Sequence, residues 1–273
     1  MVSAPALLPS LDRIRRTIEV EAAYMISRMQ VIERVSGNAA GIAVRQIDDG
    51  LVALMARSIP IPFFNSVIGL RAGHEHHIAP LVAWYRDNGV KARFELVPGN
   101  YQPELGRELA QLGYYPFGFH LSLITLPEAS GQPPPDITVE HLTGAERLDE
   151  FFEVYVAGWG FKQGNFEKFK ANVRAWIGLP GWSLYLGRID GRPAAAAILY
   201  VDGEVGYLAD AATDPAFRRR GLHTALLRRR IQDARASGCA FVCSGADFLS
   251  ASHRNMEHIG MRIQFVRTYW MPL

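Results

Sequence analysis

The stretch DPAFRRRGLHTALLRRRIQDARASG, residues 214–238, decides the fold of this chain and directly follows the apolar run EVGYLADAAT. Pro215 cannot donate a hydrogen bond to a sheet and favours an extended Asp214, so we expect the preceding strand to end near Thr213. Gly221 permits backbone angles, or a close approach to the backbone, that a Cβ would obstruct. The apolar residues that follow recur at helical spacing and predict an amphipathic helix.

The N-terminus of that helix is predicted to bind phosphate. The backbone N–H groups of residues 219–224 lie in the turn and the first helical turn, where they have no intrahelical acceptor and the helix dipole is positive. An arginine run is usually a solvent-exposed surface, so a surface helix with a basic first turn is the alternative. Basic residues are mildly unfavourable at a helix N-terminus, which counts against this alternative. The sequence contains no GxxxxGK[ST], and no GxGxxG follows a strand.

The turn resembles the hallmark of the GNAT superfamily of acetyl-CoA-dependent N-acyltransferases, which reads [Q/R]xxGx[G/A] after an extended strand. Here it reads RRRGLH, residues 218–223. Arg218 and Gly221 match, and His223 stands where the family usually has Gly or Ala, so its side chain is expected to point away from the pyrophosphate. Hairpin signals at Asp190-Gly191 and Asp202-Gly203 help to define an order of elements, β-α-α-β-β-β-α-β-α-β, that is also similar to the family topology.

The resemblance implies which residues bind acetyl-CoA, which would serve as co-substrate without a metal ion. Backbone groups at the end of the strand would pair with the pantetheine arm like an added strand, and these belong to Ala211, Ala212 and Thr213. The turn would bind the pyrophosphate through Arg218, Arg219, Arg220, Gly221, Leu222, His223 and Thr224. In the helix SASHRNMEHIGM, Ser252 and Asn255 share one face and could both approach the thiol end. A helix cap and a solvated Asn are the alternative for that pair.

The catalytic acid and base stay open at this point. Many family members have a Tyr that protonates the departing thiolate, and Met256 stands at that position. Ser252 or a water could serve instead, or the thiolate could leave unassisted. Asp210 is the first candidate for the general base that accepts the proton of the amine, ahead of Tyr207 and Glu204. A strand-end carboxylate satisfied by nearby N–H groups is the alternative for Asp210.

The chain length suits two domains of ordinary size. The proline-rich stretch LPEASGQPPPD predicts a connector, which divides the chain into residues 1–130, a linker at 131–136 and residues 137–273. The first part predicts a helix, three strands, a helix, a strand, a helix and a strand, which is similar to the second part and indicates a tandem repeat. Its corresponding segment, GLRAGH at residues 69–74, lacks the phosphate-binding pattern. This first domain is therefore predicted to be degenerate and structural, and a second, weak cofactor site is the alternative.

Composition and the remaining motifs limit the partners. His74, Glu75, His76 and His77 do not have HExxH spacing, and neighbouring helix residues project about 100° apart, so a solvated helix start is favoured over a metal site. A net charge of +2 does not favour nucleic acid. The two cysteines, Cys239 and Cys243, form no disulfide framework. We expect a cytoplasmic protein with a small-molecule amine as partner, no membrane contact, and homodimer formation left open.

The sequence therefore predicts an α/β fold with a mixed sheet, built as two tandem GNAT-like domains. The predicted function is transfer of acetyl from acetyl-CoA to an amine by direct attack in a ternary complex. Asp210 and Ser252 are the candidate catalytic residues. A non-catalytic acyl-CoA-binding or ligand-sensing protein on the same scaffold is the alternative.

Overall fold

A computed structural model describes residues 7–128, 131–161 and 166–273. Ala129 and Ser130 of the proline-rich linker lie outside the described residues. The chain forms two compact units. The N-terminal unit comprises Pro9–Ser122 and Ile263–Leu273, and the C-terminal unit comprises Met1–Leu8 and Leu123–Arg262.

The N-terminal unit has a mixed sheet with helices. Its elements are α1 (Leu11–Ser36), β1 (Ile42–Asp48), β2 (Leu51–Ala56), β3 (Ser66–Ile68), α2 (Glu75–Asp87), β4 (Arg93–Leu96), α3 (Pro103–Gln111) and β5 (Tyr114–Thr125, of which all but the last three residues belong here). The sheet runs β1-β2-β3-β4, with β3 and β4 parallel and the other neighbours antiparallel. Apolar residues of β2 and α2 form its core, where the Tyr85 hydroxyl donates to the Leu54 carbonyl at 2.6 Å.

The C-terminal unit also has a mixed sheet with helices. Its elements are β6 (Ile137–Leu142), α4 (Leu148–Trp159), α5 (Phe166–Trp176), β7 (Trp182–Ile189), β8 (Arg192–Asp202), β9 (Val205–Tyr207), β10 (Ala211–Thr213), α6 (Leu222–Ala236), β11 (Phe241–Ala246) and α7 (Ala251–His258). The sheet runs β11-β9-β8-β7-β6, with β10 also paired to β8. Only the β9–β11 pair is parallel among the pairs described.

The last strand, β12 (Arg262–Pro272), differs from the expected division of the chain. The sequence assigned residues 137–273 to one domain, whereas Ile263–Leu273 groups with the N-terminal unit. There β12 pairs antiparallel with β4. The buried Arg267 guanidinium lies 2.6 Å from the Glu21 carboxylate of α1 and 2.9 Å from the Glu95 carboxylate of β4. Burial raises the pKa of Glu21, whereas the nearby Arg93 and Arg267 charges outweigh burial and lower the pKa of Glu95.

Local sequence signals agree with the structure at most turns. Asp190 and Gly191 have φ values of +49° and +75°, as an Asp-Gly hairpin turn requires. The strand before the decisive stretch ends at Thr213, as expected from Pro215. The run EVGYLADAAT, expected as one strand, is two strands, β9 and β10. Among the described residues, we find no helix that combines the length and apolar character needed to cross a membrane.

Candidate functional site

The break between β9 and β10 opens the sheet of the C-terminal unit. β9 pairs with β8 on one side and with β11 on the other, while the register given for β10 is to β8. Leu208 still binds β11, since its N–H donates to the Cys243 carbonyl at 2.8 Å and its carbonyl accepts from the Ser244 hydroxyl at 2.8 Å. Beyond Leu208 the chain leaves β11, so the edge of β10 on that side faces a cleft.

Backbone groups of Ala211 and Thr213 point towards this cleft. The Ile198 N–H donates to the Asp210 carbonyl at 3.0 Å, and the Asp214 N–H donates to the Ala194 carbonyl at 2.9 Å. Hydrogen-bonded pairs alternate along an antiparallel ladder, so residues 210, 212 and 214 bond to β8 and the two residues between them present N–H and C=O groups to the other side. An extended ligand can therefore pair with β10 as an added strand.

The turn before α6 presents a helix N-terminus to the same cleft. Arg219 and Gly221 both have left-handed backbone angles, with φ of +62° and +89°. Gly221 is the N-cap of α6, no side chain caps the helix, and its first turn contains no acidic residue. The first N–H groups of α6 therefore lie at the positive end of the helix dipole without a carboxylate from the same turn.

A cleft of about 470 Å³ joins these features. Eleven of the predicted site residues line it, namely Ala211, Ala212, Thr213, Arg218, Arg219, Gly221, Leu222, His223, Thr224, Ser252 and Asn255. Arg220 and Asp210 are not among the lining residues. The Arg220 guanidinium lies 3.3 Å from the Asp190 carboxylate and 3.6 Å from that of Asp136. Its side chain thus binds carboxylates at the sheet end, although its backbone remains in the turn.

Arg218 binds the protein's own backbone. Its Nε donates to the Thr213 carbonyl at 3.2 Å and its Nη2 donates to the Gly158 carbonyl at 3.0 Å. The side chain therefore ties β10 to the last turn of α4. This arrangement gives Arg218 a structural task that the sequence pattern did not predict.

His223 and Asn255 contact each other where α6 and α7 meet. The Asn255 Nδ2 lies 3.1 Å from the His223 Nδ1. Because an amide NH₂ can only donate, Nδ1 is the acceptor and a neutral ring carries its proton on Nε2. Burial, and next the positive charge of Arg230, lower the pKa of His223 to about 4. His223 is therefore neutral at pH 7, and its ring is directed at α7.

α7 places Ser252 on the cleft and Met256 in the core. The helix is capped by Ser250, whose hydroxyl accepts from the His253 N–H at 3.1 Å, so Ser252 is not the cap. Ser252 and Asn255 both line the cleft, as their shared face predicted. Met256 is buried and is not among the lining residues.

Asp210 is held by a tyrosine at the opening of the sheet. The buried Tyr155 hydroxyl of α4 donates to the Asp210 Oδ2 at 2.5 Å. Tyr155 packs among the aromatic rings of α4 and α5, including Phe151, Phe169 and Trp176. The carboxylate thus has a fixed direction beside Ala211. Glu204 is exposed in the turn between β8 and β9 and does not line the cleft.

Three lining residues were missed by the sequence analysis, namely Gly158, Phe217 and Ala251. Gly158 allows α4 to touch β10, because a Cβ there would lie 2.7 Å from the Ala212 Cβ and 2.9 Å from the Thr213 nitrogen. The glycine within the apolar run FFEVYVAGWG was the available signal. Trp159 also lines the cleft, whereas Trp182 and Tyr185, two other aromatic residues of this unit, are buried.

The corresponding turn of the N-terminal unit is filled by acidic side chains. The Gly73 N–H donates to the Glu75 carboxylate at 3.2 Å, and the Arg71 guanidinium pairs with the Asp49 carboxylate at 2.9 Å. The His77 Nε2 lies 3.8 Å from the Asp48 carboxylate. His74 is buried at the start of α2. No group of three or more His, Cys, Asp or Glu side chains suited to a metal ion occurs within residues 7–128, 131–161 and 166–273.

Comparison with known proteins identifies the fold. A family profile described as an acetyltransferase (GNAT) domain matches residues 129–249. A GCN5-related N-acetyltransferase from Kribbella flavida is similar in structure at 16% identity, with a TM-score of 0.64 over 92% of this chain and 95% of that chain. A GCN5-related N-acetyltransferase from Sphaerobacter thermophilus has 16% identity and a TM-score of 0.57 over 76% of this chain and 71% of that chain.

A protein with two such domains is also similar. A tandem GNAT protein from the clavulanic acid biosynthesis pathway has 12% identity and a TM-score of 0.60, over 84% of this chain and 78% of that chain. None of the curated protein sequences searched matches the chain. The predicted fold class, mixed α/β with tandem GNAT-like domains, is confirmed by these likenesses. Residues 129–249 therefore match the acetyltransferase (GNAT) domain family, and the solved structures show that the chain has a GNAT-like fold.

Proposed function

We propose that the C-terminal unit transfers acetyl from acetyl-CoA to a small-molecule amine by direct attack in a ternary complex. One observation carries the proposal: a single cleft is lined by the unpaired side of β10, by the N-terminus of α6 and by α7. A strand edge suits the amide-bearing pantetheine arm, and a helix N-terminus suits a pyrophosphate. The strand edge and the helix N-terminus are adjacent, as the pantetheine arm and the pyrophosphate are in acetyl-CoA.

The residues fit this donor in detail. Ala211 and Thr213 would bind the pantetheine amides through backbone groups. The N–H groups at Gly221, Leu222 and His223 would bind the pyrophosphate, with the Arg219 side chain beside them. A Cβ on Gly221 would meet side-chain carbons of the protein only at 3.6 Å or more, so packing within the chain leaves room there. The glycine is needed for its positive φ and for the approach of a ligand to the backbone.

The transfer itself would follow the arrangement of Asp210 and α7. The neutral amine nitrogen attacks the thioester carbonyl carbon, the C–S bond breaks, and the thiolate of CoA leaves with the bonding pair. The amine proton passes to Asp210, directly or through a water. Tyr155 supports this role because its hydroxyl donates to one oxygen of Asp210 at 2.5 Å and so orients the carboxylate.

The leaving thiolate needs little help in this proposal. Met256, at the position where many relatives have a Tyr, is buried and carries no acidic proton. A thiolate is stable enough to leave without being protonated in the same step. Ser252 lines the cleft and is the hydroxyl that α7 offers to the sulfur.

We take a small molecule as the acceptor, which would bind beside the donor in the cleft. Trp159 lines it and is about half exposed, so an aromatic face is available to the acceptor.

Calorimetric titration with acetyl-CoA, followed by a thiol-release assay over a panel of amines, tests the proposal. We expect saturable binding and release of CoA with at least one amine of the panel. Binding without turnover on any amine would favour the second candidate, a non-catalytic acyl-CoA-binding or sensing protein. The buried Met256 and the hydrogen-bonded state of Asp210 are the observations that keep this second candidate in view.

A further inference from the structure

The residue that shapes the break between β9 and β10 is a buried arginine on α6. Arg230 is 1% exposed. Its Nη1 donates to the Ile198 carbonyl at 2.8 Å and to the Ala209 carbonyl at 2.8 Å, while its Nε donates to the Leu226 carbonyl of its own helix at 3.2 Å. All three acceptors are neutral.

The carbonyl of Ala209 marks a β-bulge. On β8, Tyr207 pairs with Tyr200, whereas Ala211 pairs with Ala197, so the register shifts by one residue between the two strands. The extra residue turns the Ala209 carbonyl out of the ladder, and the Ala209 N–H turns back to the Tyr207 carbonyl at 2.9 Å. A buried carbonyl without a donor is costly, and Arg230 supplies that donor.

We propose that Arg230 is a positioning residue for acyl transfer: its guanidinium holds this bulge in shape and so fixes how Ala211 presents its backbone to the cleft and how the Asp210 carboxylate beside it is oriented. This inference rests on the proposed function. Arg230 touches neither donor nor acceptor in it, because it lies beneath the cleft and is not among the residues that line it. It acts through the two peptide groups that it binds.

The charge of Arg230 acts on the same place. Tyr185 from β7, Tyr207 from β9 and Asp210 face the guanidinium and interact with its charge. Burial lowers the pKa of Arg230 to about 10, so the side chain is still charged at pH 7. Its field also lowers the pKa of His223, after burial itself. The titration of His223 therefore reports on the charge at the bulge, independently of turnover.

Three variants test this inference in the full chain. Arg230→Met removes the donors and the charge at similar length, and Arg230→Lys keeps the charge but loses the forked geometry. Arg229→Met is the matched control, because Arg229 is the neighbouring arginine of α6 and binds Asp233 and the Val139 carbonyl away from the bulge. The measurements are kcat, the Kd for acetyl-CoA, thermal unfolding, and the His223 titration followed by NMR.

We expect Arg230→Met to lower kcat roughly 100-fold while the Kd for acetyl-CoA changes only a few-fold, because misplaced groups affect the reacting geometry most. The kcat of Arg230→Lys is expected to fall roughly tenfold, because lysine keeps the charge but also misplaces the groups at the bulge. The pKa of His223 should rise in Arg230→Met and stay low in Arg230→Lys. Arg229→Met should keep the wild-type kcat.

Two results would overturn the inference. One is wild-type kcat in a folded Arg230→Met, or in Arg230→Lys if the methionine variant does not fold. The other is an equal loss of kcat and of acetyl-CoA binding in the Arg230 and Arg229 variants, which would mean general destabilisation. If the wild-type chain transfers acetyl to no amine, the proposed function fails, and the positioning role that rests on it fails too. Acetyl transfer by the wild-type chain with an unchanged kcat in the Arg230 variants would reject the positioning role alone.

Discussion

Two helix N-termini in this chain follow similar glycine turns but differ in the charge of their first helical turn. α2 of the N-terminal unit follows Gly73 at φ +92°, and α6 of the C-terminal unit follows Gly221 at φ +89°. At α2 the chain's own Glu75 carboxylate accepts the Gly73 N–H. At α6 the first turn has no acidic residue, and neither helix has a side-chain cap. Only the second terminus is left to an anion from outside.

The difference shows that a glycine turn before a helix is not enough to make a phosphate site. Both turns allow close approach to the backbone, and both helices have a positive dipole end. What separates them is the first turn itself: at α2 the Glu75 carboxylate accepts the Gly73 N–H, whereas the first turn of α6 contains no acidic residue. Glu75 would thus be a physical reason for the degenerate character that the sequence predicts for the first domain.

Our proposal assigns the chemistry to the C-terminal unit alone, and Asp210→Asn is the variant that tests this most strongly. Loss of the base should lower kcat by roughly 10²- to 10⁴-fold. Stopped-flow or thiol-release kinetics across pH should also show that the acidic limb of the profile is lost. Acetyl-CoA affinity should hold, since Asp210 does not line the cleft.

Tyr155→Phe is the control for that variant. It removes the hydroxyl that orients Asp210 but leaves the carboxylate in place, so kcat should fall less than in Asp210→Asn. A profile unchanged by Asp210→Asn would remove Asp210 from the mechanism.

Gly221→Val and Gly73→Val form a matched pair that can break the comparison directly. Both positions have left-handed φ, and no protein atom would lie closer than 3.6 Å to a Cβ at either. Each variant should therefore lose comparable stability. Only Gly221→Val should weaken acetyl-CoA binding, by roughly 100-fold if two charge-assisted hydrogen bonds are lost.

Calorimetry on both variants, with their thermal unfolding measured alongside, decides the matter. Equal affinities in Gly221→Val and wild type would count heavily against the phosphate site. A loss of acetyl-CoA affinity in Gly73→Val would mean that acetyl-CoA binds at the turn before α2, contrary to the proposal.

Both helix starts contain a histidine that should make stability depend on pH. The pKa of His223 is lowered to about 4 by burial and by Arg230, and burial also lowers the pKa of His74. A histidine with a lowered folded pKa binds fewer protons in the folded state, so its stabilising effect is complete above pH 6.5 and is lost as the pH falls towards the folded value. For His223 this window runs from 6.5 down to about 4.

The His223→Gln variant tests that window. Its melting temperature should fall less than that of wild type between pH 6.5 and about 4. A wild-type pH dependence in this variant would show that His223 does not carry the effect.

The smallest expected effect concerns the turn before α2. Glu75→Gln should destabilise the chain by about 0.3–1 kcal/mol, because it removes a negative charge from a helix N-terminus. It should not create a second acetyl-CoA site, since Asp48 and Asp49 remain. Chemical denaturation measures the first expectation and calorimetric stoichiometry the second. A second bound acetyl-CoA would mean that Glu75 alone prevents acetyl-CoA from binding at this turn.

The order of elements could be read from sequence because it depends on local signals. Pro215 ended a strand, Asp190-Gly191 made a hairpin, and the GNAT resemblance followed from the turn at Gly221. These signals act within a few residues, so they need no knowledge of the packing.

What could not be predicted depends on distant partners. The bulge at Ala209 depends on Arg230, which lies two elements further along the chain. The grouping of β12 with the N-terminal unit coincides with the pairing of Arg267 with Glu21 and Glu95, and periodicity does not indicate which sheet a strand joins. Arg218 matched the family pattern, yet its side chain binds the Thr213 carbonyl.

Hydrogen exchange measured by mass spectrometry, with and without acetyl-CoA, tests the central claim most directly. The account predicts that the donor slows exchange in peptides covering residues 211–213 and 221–224, where backbone N–H groups would bind it. Peptides covering residues 69–78 of the other turn should be unchanged. Protection at residues 69–78, or none at residues 211–224 at saturating acetyl-CoA, would contradict it.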